Sequence, residues 1–297
     1  MYSCVPLKIP VKQGETSVSK TNSTVSSRFN DQKTGLPPKG YSLESLAKNL
    51  YFFSTGGKDT LFAITSEGTL LVDPFKGGGE LLQKALAEVS APPVKMLIYS
   101  QASLKRMAEA TLFSENVRVV AHRDTADFIR ELGESNIPRP SISFGKNYSL
   151  TFGGLQVDLI YPEKGQGRGN SIIYFPAQKV LMLTGAAIPK TIPIQNLNAS
   201  DIIRRASELK KALKFDFKKY VSGGFYRPGS RQEMNQILSY YFASKAANKK
   251  AMESESLKVV KGKTGATNIK KVSGVPGVVT EECYKLLKSR WKKELKG

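Results

Sequence analysis

The feature that most constrains the fold is a series of short apolar strands interrupted by amphipathic helices between residues 44 and 245. Apolar runs of roughly four to eight residues bounded by Gly or polar residues are typical of buried strands. Residues 77–90 carry apolar side chains at helical spacing, and 94–100 is an apolar run that enters a polar loop. Two groups of strands with helices among them predict a layered α/β sandwich.

The same patterns give the individual elements. We expect Asp124 or Thr125 to cap a helix, because short polar side chains accept hydrogen bonds from the first free N–H groups of a helix. Helices are predicted at 77–90, 104–113, 125–134, 200–213 and 230–247, strands at 49–57, 60–66, 68–75, 94–100, 117–122 and 218–224, and hairpins at 148–162 and 170–185.

The charge of the chain is concentrated in its flanks. The net charge is +20, with six Lys or Arg against two acids in residues 1–40 and thirteen against five in residues 246–297. We therefore divide the chain into an extended basic arm at 1–43, a folded domain at 44–245 and a basic tail at 246–297. A terminal helix is expected in the tail, with a docking stripe at helical spacing formed by Tyr284, Leu287, Trp291 and Leu295. This stripe could pack on the protein's own folded domain, on a partner or on a membrane surface.

The loop after the strand at 94–100 carries the most specific motif. It reads Ser100-Gln101-Ala102-Ser103-Leu104-Lys105-Arg106. This stretch resembles the signature of the metallo-β-lactamase family, in which an apolar strand leads into Ser/Thr-His-x-His-x-Asp-His and then a helix. The resemblance covers roughly residues 46–245. It implies an αββα four-layer sandwich, here with an extended basic N-terminal arm and a C-terminal tail.

The resemblance also implies a metal site whose ligands are missing. Asp73, in the pattern VDPF, matches a family Asp that supports the site without binding metal. Zinc is bound by His, Cys and carboxylate side chains, whereas Lys and Arg only donate hydrogen bonds. We therefore expect a degenerate member with no metal, no cofactor and no catalytic residues. The degenerate ligand positions are Gln101, Ser103, Lys105, Arg106, Gln166, Gly185 and Gly224.

The residues of the former site leave several roles open. Ser100 or Ser103 could act as a nucleophile with Lys105 as its base. Lys105, Arg106 and Arg168 could line an anion-binding pocket, or make surface salt bridges and partner contacts. His122, the single histidine of the chain, ends a predicted strand and is expected to be structural.

These observations favour a non-catalytic structural subunit, a pseudoenzyme that serves as a linker or scaffold in a large assembly. Its basic extensions would bind acidic proteins or RNA through opposite charge. A light-harvesting antenna and an organellar ribosome are the candidate assemblies, and a plastid or mitochondrion is the favoured compartment. The alternatives are an RNA- or nucleic-acid-binding protein and a residual hydrolase. No apolar stretch reaches the length of a transmembrane segment.

Overall fold

The structure is a computed structural model that describes residues 37–133, 136–162, 167–185, 187–188, 199–253, 258–261, 266–270 and 278–280. The chain divides into two compact units. The larger comprises residues 27–191 and 204–238, and the smaller comprises residues 1–26, 192–203 and 239–297. In the smaller unit, three short antiparallel strands are described: β14 (Lys258–Lys261), β15 (Ala266–Lys270) and β16 (Val278–Thr280).

The larger unit contains a seven-stranded sheet whose spatial order follows the chain. Its first four strands pair antiparallel, and the pairs from the fourth to the seventh strand are parallel. The strands are β1 (Ser42–Ala47), β2 (Leu50–Thr55), β3 (Lys58–Thr65), β4 (Gly68–Val72), β5 (Val94–Tyr99), β6 (Arg118–His122) and β7 (Ile142–Phe144).

A second sheet of six strands has the order β13-β12-β11-β10-β9-β8. All its pairs are antiparallel except β11 with β12. Its strands are β8 (Asn147–Phe152), β9 (Leu155–Ile160), β10 (Ile172–Phe175), β11 (Val180–Met182), β12 (Lys219–Val221) and β13 (Gly229–Ser230). The two predicted hairpins, 148–162 and 170–185, are confirmed as β8–β9 and β10–β11.

The two sheets pack face to face over a core of alternate strand residues. Phe52, Leu70 and Ile98 of the first sheet belong to one buried cluster with Phe152 and Ile173 of the second. Each large apolar side chain that is removed from water contributes about 1.5–3 kcal/mol, so this interface holds the sheets together.

Helices cover the outer faces. They are α1 (Gly79–Glu88), α2 (Leu104–Met107), α3 (Arg123–Glu131), α4 (Ala199–Ala212) and α5 (Arg231–Glu253), with a 3₁₀ turn at Ala110–Phe113. Leu82 of α1, Met107 of α2 and Ile129 of α3 pack on the outer face of the first sheet. Leu209 of α4 and Met234 of α5 are buried as well. The αββα four-layer sandwich is thereby confirmed.

Three local predictions need correction. The segment 104–113 is not one helix but α2 followed by the 3₁₀ turn. The cap of α3 is His122, whose Nδ1 accepts a hydrogen bond from the Asp124 N–H, and not Asp124 or Thr125. Strand β1 begins at Ser42, and the preceding Tyr41 is only 4% exposed, so residues assigned to the arm contribute to the core.

Candidate active site

Loops from both sheets meet at one edge of the sandwich. The parallel strands β4 and β5 end there, and so do β11 and β12. Asp73 follows β4, Ser100 follows β5 and Thr184 follows β11. Asp73 Oδ1 accepts the Ser100 backbone N–H at 2.8 Å and its Oδ2 accepts the Ser100 hydroxyl at 2.5 Å, while Ser100 Oγ lies 2.8 Å from Thr184 Oγ1. All three side chains are buried, so this edge carries a connected polar cluster.

Arg106 of α2 lies at the centre of this cluster and is only 6% exposed. Its Nε and Nη2 each lie 3.1 Å from Asp73 Oδ2. Its Nη1 and Nη2 donate to the Asp59 carbonyl at 3.2 Å, and Nη1 also donates to the Gly223 carbonyl at 2.6 Å. The guanidinium thus donates four hydrogen bonds, from all three of its nitrogens, in addition to the ion pair with Asp73.

The loops also bring several of the degenerate ligand positions to this edge. Next to Gln101, the backbone N–H of Ala102 donates a hydrogen bond to the Arg168 carbonyl at 3.0 Å. Gly185 N–H donates to the Ser222 carbonyl at 2.9 Å, two residues before the exposed Gly224. Ser103 is the N-cap residue of α2, although its side chain makes no capping hydrogen bond. Gln166 lies outside the described residues.

These residues do not fit the divalent metal that the family implies. They offer amide, hydroxyl, ammonium and guanidinium groups, or no side chain at all, and the buried carboxylate of Asp73 is already paired with Arg106. Within the described part of the chain, no group of three His, Cys, Asp or Glu side chains is placed to hold a metal ion.

The three candidate anion contacts do not share one pocket. Arg106 is buried against Asp73, whereas Arg168 forms a two-pronged ion pair with Glu131 at 2.5 and 2.7 Å. The ion pair lowers the pKa of Glu131 from its ordinary value. Lys105 remains exposed at the edge. Ser100 bonds to Asp73, so Lys105 is not placed as its base.

His122 has structural partners. Its Nε2 lies 2.6 Å from the Gly145 carbonyl, and its ring stacks on Tyr161 with centroids 3.9 Å apart. Because Nδ1 accepts from the Asp124 N–H, Nε2 carries the proton and donates to Gly145. Nδ1 therefore caps the start of α3, while Nε2 bonds to the residue that follows β7.

Asp59, at the beginning of β3, is the acidic residue that the sequence interpretation missed. Its side chain is fully buried, Oδ2 accepts the Phe225 N–H at 3.1 Å, and Oδ1 has no hydrogen-bond partner among the described residues. Burial raises its pKa to about 7, opposed by the Arg106 charge and by the backbone N–H groups of Phe225 and Gly223. The signal in the sequence was an acid placed within the otherwise strand-like run KDTLFAIT. A buried carboxyl that titrates near neutrality is suited to proton transfer.

Comparison with known proteins places this geometry in context. No protein-family model matches the chain. Over 232 residues it is 25% identical to the alpha subunit of 2,4-dinitroanisole O-demethylase from Nocardioides sp. (strain JS1661), which covers 72% of this chain and 70% of that protein.

Solved structures that are similar to this chain show which fold it has. A metallo-β-lactamase from Pontibacter korlensis matches with a TM-score of 0.56 at 19% identity, covering 68% of this chain and 99% of that one. The chain has the metallo-β-lactamase fold. The same fold is found in metallo-β-lactamase IND-7, with a TM-score of 0.54, 16% identity and coverage of 68% and 100%. A double mutant of the sec-alkyl sulfatase PisA1 gives 0.58 at 13% identity, covering 71% of this chain and 43% of that one.

The comparisons correct the functional expectation. A non-catalytic structural linker, a pseudoenzyme, was expected, and this is wrong, because the sequence relative is a subunit of an enzyme. The residues at the expected ligand positions do not suit a divalent metal, and a buried acid and a polar cluster lie at the edge where the loops meet.

The partner expectations depend on residues that the structure does not cover. The docking stripe of Tyr284, Leu287, Trp291 and Leu295 and most of the basic flanks lie outside the described residues. Acidic proteins or RNA as partners therefore stay predictions. No helix among the described residues has both the length and the hydropathy to cross a bilayer.

Two neighbouring glycines offer a matched test of the site's packing. Gly223 has φ +77, and a Cβ there would clash with Thr184 Cγ2 and lie 3.0 Å from Arg106 Nη2, whereas a Cβ on Gly224 would meet nothing within 4 Å. We expect Gly223→Ala to lower the free energy of unfolding by roughly 2 kcal/mol or more, through backbone strain and overpacking. Gly224→Ala should change it by less than about 0.5 kcal/mol. Urea unfolding of both variants measures the difference, and equal effects would contradict the described packing.

Proposed function

We propose that this chain is a subunit of a hydrolase that cleaves the alkyl–aryl ether bond of an electron-poor aromatic compound without a metal ion. The observation that carries the proposal is the sequence similarity to the alpha subunit of 2,4-dinitroanisole O-demethylase, which extends over about 70% of both chains. That protein's name describes the removal of a methyl group from an aryl ether that carries two nitro groups. Its designation as a subunit supports a second chain in the working enzyme.

Asp59 is the proposed general base. With a pKa of about 7, its carboxyl is partly ionised near neutral pH and can accept a proton from water. Within the part of the chain that the structure describes, its Oδ1 has no hydrogen-bond partner, so this oxygen is proposed to receive the proton of the attacking water. Arg106 bonds to the Asp59 carbonyl and not to its carboxylate, so the guanidinium holds the backbone of the base in place.

The proposed step is a hydrolysis. Water adds through its oxygen to the ring carbon that bears the alkoxy group, and Asp59 takes the proton of the water. The carbon–alkoxy bond then breaks, and the alkoxide takes the proton back from Asp59 and leaves as an alcohol. Ether and water thus give a phenol and an alcohol, and Asp59 is again ionised. Nitro groups spread the negative charge of the addition complex over the ring, so the substrate itself lowers the need for a metal as electrophile.

The rim of the site suits such a substrate. Phe225 and Tyr226 lie side by side with ring centroids 4.1 Å apart, and both are half-buried beside Asp59. Aromatic rings attract one another in offset or tilted arrangements. Lys58 Nζ bonds to the Lys76 carbonyl, and Lys76 N–H bonds to the Lys105 carbonyl, so three exposed lysines have their backbones close to one another near this edge. They would attract the nitro oxygens and the phenolate product.

Access to Asp59 requires a movement of the segment 223–225. Phe225 N–H bonds directly to the carboxylate, while Gly224 is exposed and Asp59 is fully buried. The segment thus separates the base from solvent. Displacing it would admit the substrate, and its return would exclude bulk water during the reaction.

The test is the release of phenolate by the purified full-length chain, alone and together with the subunit that co-purifies with it. With 2,4-dinitroanisole in ¹⁸O-labelled water, we expect dinitrophenolate that carries the label, and with unsubstituted anisole we expect no product. No release from 2,4-dinitroanisole under either condition would overturn the proposal. Label found in methanol instead would contradict attack at the ring.

A further inference from the structure

The Arg106 guanidinium has an environment that resembles the coordination shell of a cation. Its acceptors are one buried carboxylate, that of Asp73, and the backbone carbonyls of Asp59 and Gly223. These groups come from the loop after β4, from the start of β3 and from the loop after β12. The first two belong to the first sheet and the third follows a strand of the second sheet.

The charge balance explains why a cation is needed at this position. The Asp73 side chain is fully buried, and its oxygens also accept from Ser100. A buried ionised carboxylate without a countercharge is strongly destabilising. The Arg106 guanidinium supplies that countercharge, and it also donates hydrogen bonds to the backbone carbonyl groups of Asp59 and Gly223.

We infer that Arg106 is a built-in cation that takes over the structural task of a metal ion in this fold, because it links the loops of the two sheets at the edge where they meet. It is a positioning residue, since it acts through Asp73 and through the backbones of Asp59 and Gly223. A guanidinium suits this task better than an ammonium, because its planar fork can serve acceptors on three sides at once. The inference rests on contacts alone and does not depend on the proposed function.

The experiment is chemical rescue of the full-length Arg106→Ala variant. Removing one partner of a buried ion pair typically costs several kcal/mol, so we expect the melting temperature to fall by roughly 10 °C. Methylguanidinium added at millimolar concentration should recover part of this loss, with a shift that grows with the logarithm of its concentration. Wild-type protein in the same solutions corrects for the general denaturing effect of the ion.

Arg130→Ala is the matched control. Arg130 also pairs with an aspartate, Asp127, at 2.6 Å, but its side chain is 70% exposed. We expect this variant to melt within about 2 °C of the wild type, because exposed pairs contribute little, and to gain nothing from methylguanidinium.

Three results would overturn the inference. They are a loss of less than about 2 °C in Arg106→Ala, no recovery with methylguanidinium, or an equal recovery in the Arg130→Ala control. If Arg106→Ala does not fold, refolding it with and without methylguanidinium gives the same readout. Native circular dichroism regained only with the guanidinium would support the inference, and failure in both solutions would overturn it.

Discussion

Asp59→Asn should lower the turnover of an electron-poor aryl ether at least about 100-fold, because the amide cannot accept the proton of the attacking water. Asparagine has the shape of aspartate, and its carbonyl oxygen can still accept the Phe225 N–H that Asp59 Oδ2 accepts. We therefore expect KM to change far less than kcat. In the wild-type enzyme, kcat/KM should rise with pH through about 7, as the Asp59 carboxyl ionises.

Asp216→Asn is the matched control for this substitution. Asp216 pairs with Lys179 at 2.6 Å at the surface, with a side chain that is 76% exposed, and it does not touch the site. Its kinetics should equal those of the wild type. Asp59→Asn activity within a few-fold of the wild type, or a pH profile that the substitution leaves unchanged, would exclude Asp59 as the base.

The same residue should give the protein an inverted pH dependence of stability. The pKa of Asp59 rises from 3.8 in the unfolded chain to about 7 in the folded protein, chiefly through burial. Between these values the folded state binds the extra proton, so the contribution to stability is complete below about pH 3.8 and is lost as pH rises through about 7. The two pKa values correspond to a change on the order of 4 kcal/mol.

Asp59→Asn removes this dependence. Relative to the wild type, the variant should therefore become more stable as pH is raised from about 5 to about 8, by a few kcal/mol. The pKa of Asp216 is lowered by its hydrogen bond with Lys179, so its contribution is lost only in acid, and Asp216→Asn should show a constant difference over this range. Urea unfolding at several pH values makes the comparison. A constant difference for Asp59→Asn would mean that this carboxyl is already ionised at pH 5.

The fold could be predicted from the sequence because its pattern is local. The apolar run at 94–100, the hairpin turns and the motif from Ser100 to Arg106 each lie within a short segment, and together they specify the metallo-β-lactamase sandwich. Element ends were less predictable, since tertiary contacts decide them. The break between α2 and the 3₁₀ turn at Ala110–Phe113 is one example.

The site could not be predicted in the same way, because its pairings join distant segments. Arg106 was considered for an anion-binding pocket or for surface salt bridges and partner contacts. It instead pairs with Asp73, thirty-three positions earlier, and with the carbonyl of Gly223, far later in the chain. In the sequence, Asp59 is marked only by its place in the strand-like run KDTLFAIT, and the burial that raises its pKa toward neutrality comes from the fold. The expectation of a non-catalytic linker was drawn from the missing ligands and the basic flanks, and such reasoning does not reveal an acid buried by the fold.

The most direct test of the account is the 2,4-dinitroanisole assay run on chelator-treated protein whose metal content has been measured. The residues around Arg106 do not suit a metal ion, so we predict that dinitrophenolate release continues at an unchanged rate in the chelator with less than stoichiometric metal present. Activity that disappears on chelation and returns when a divalent metal is added would contradict the account, because catalysis would then depend on ligands that this site does not offer.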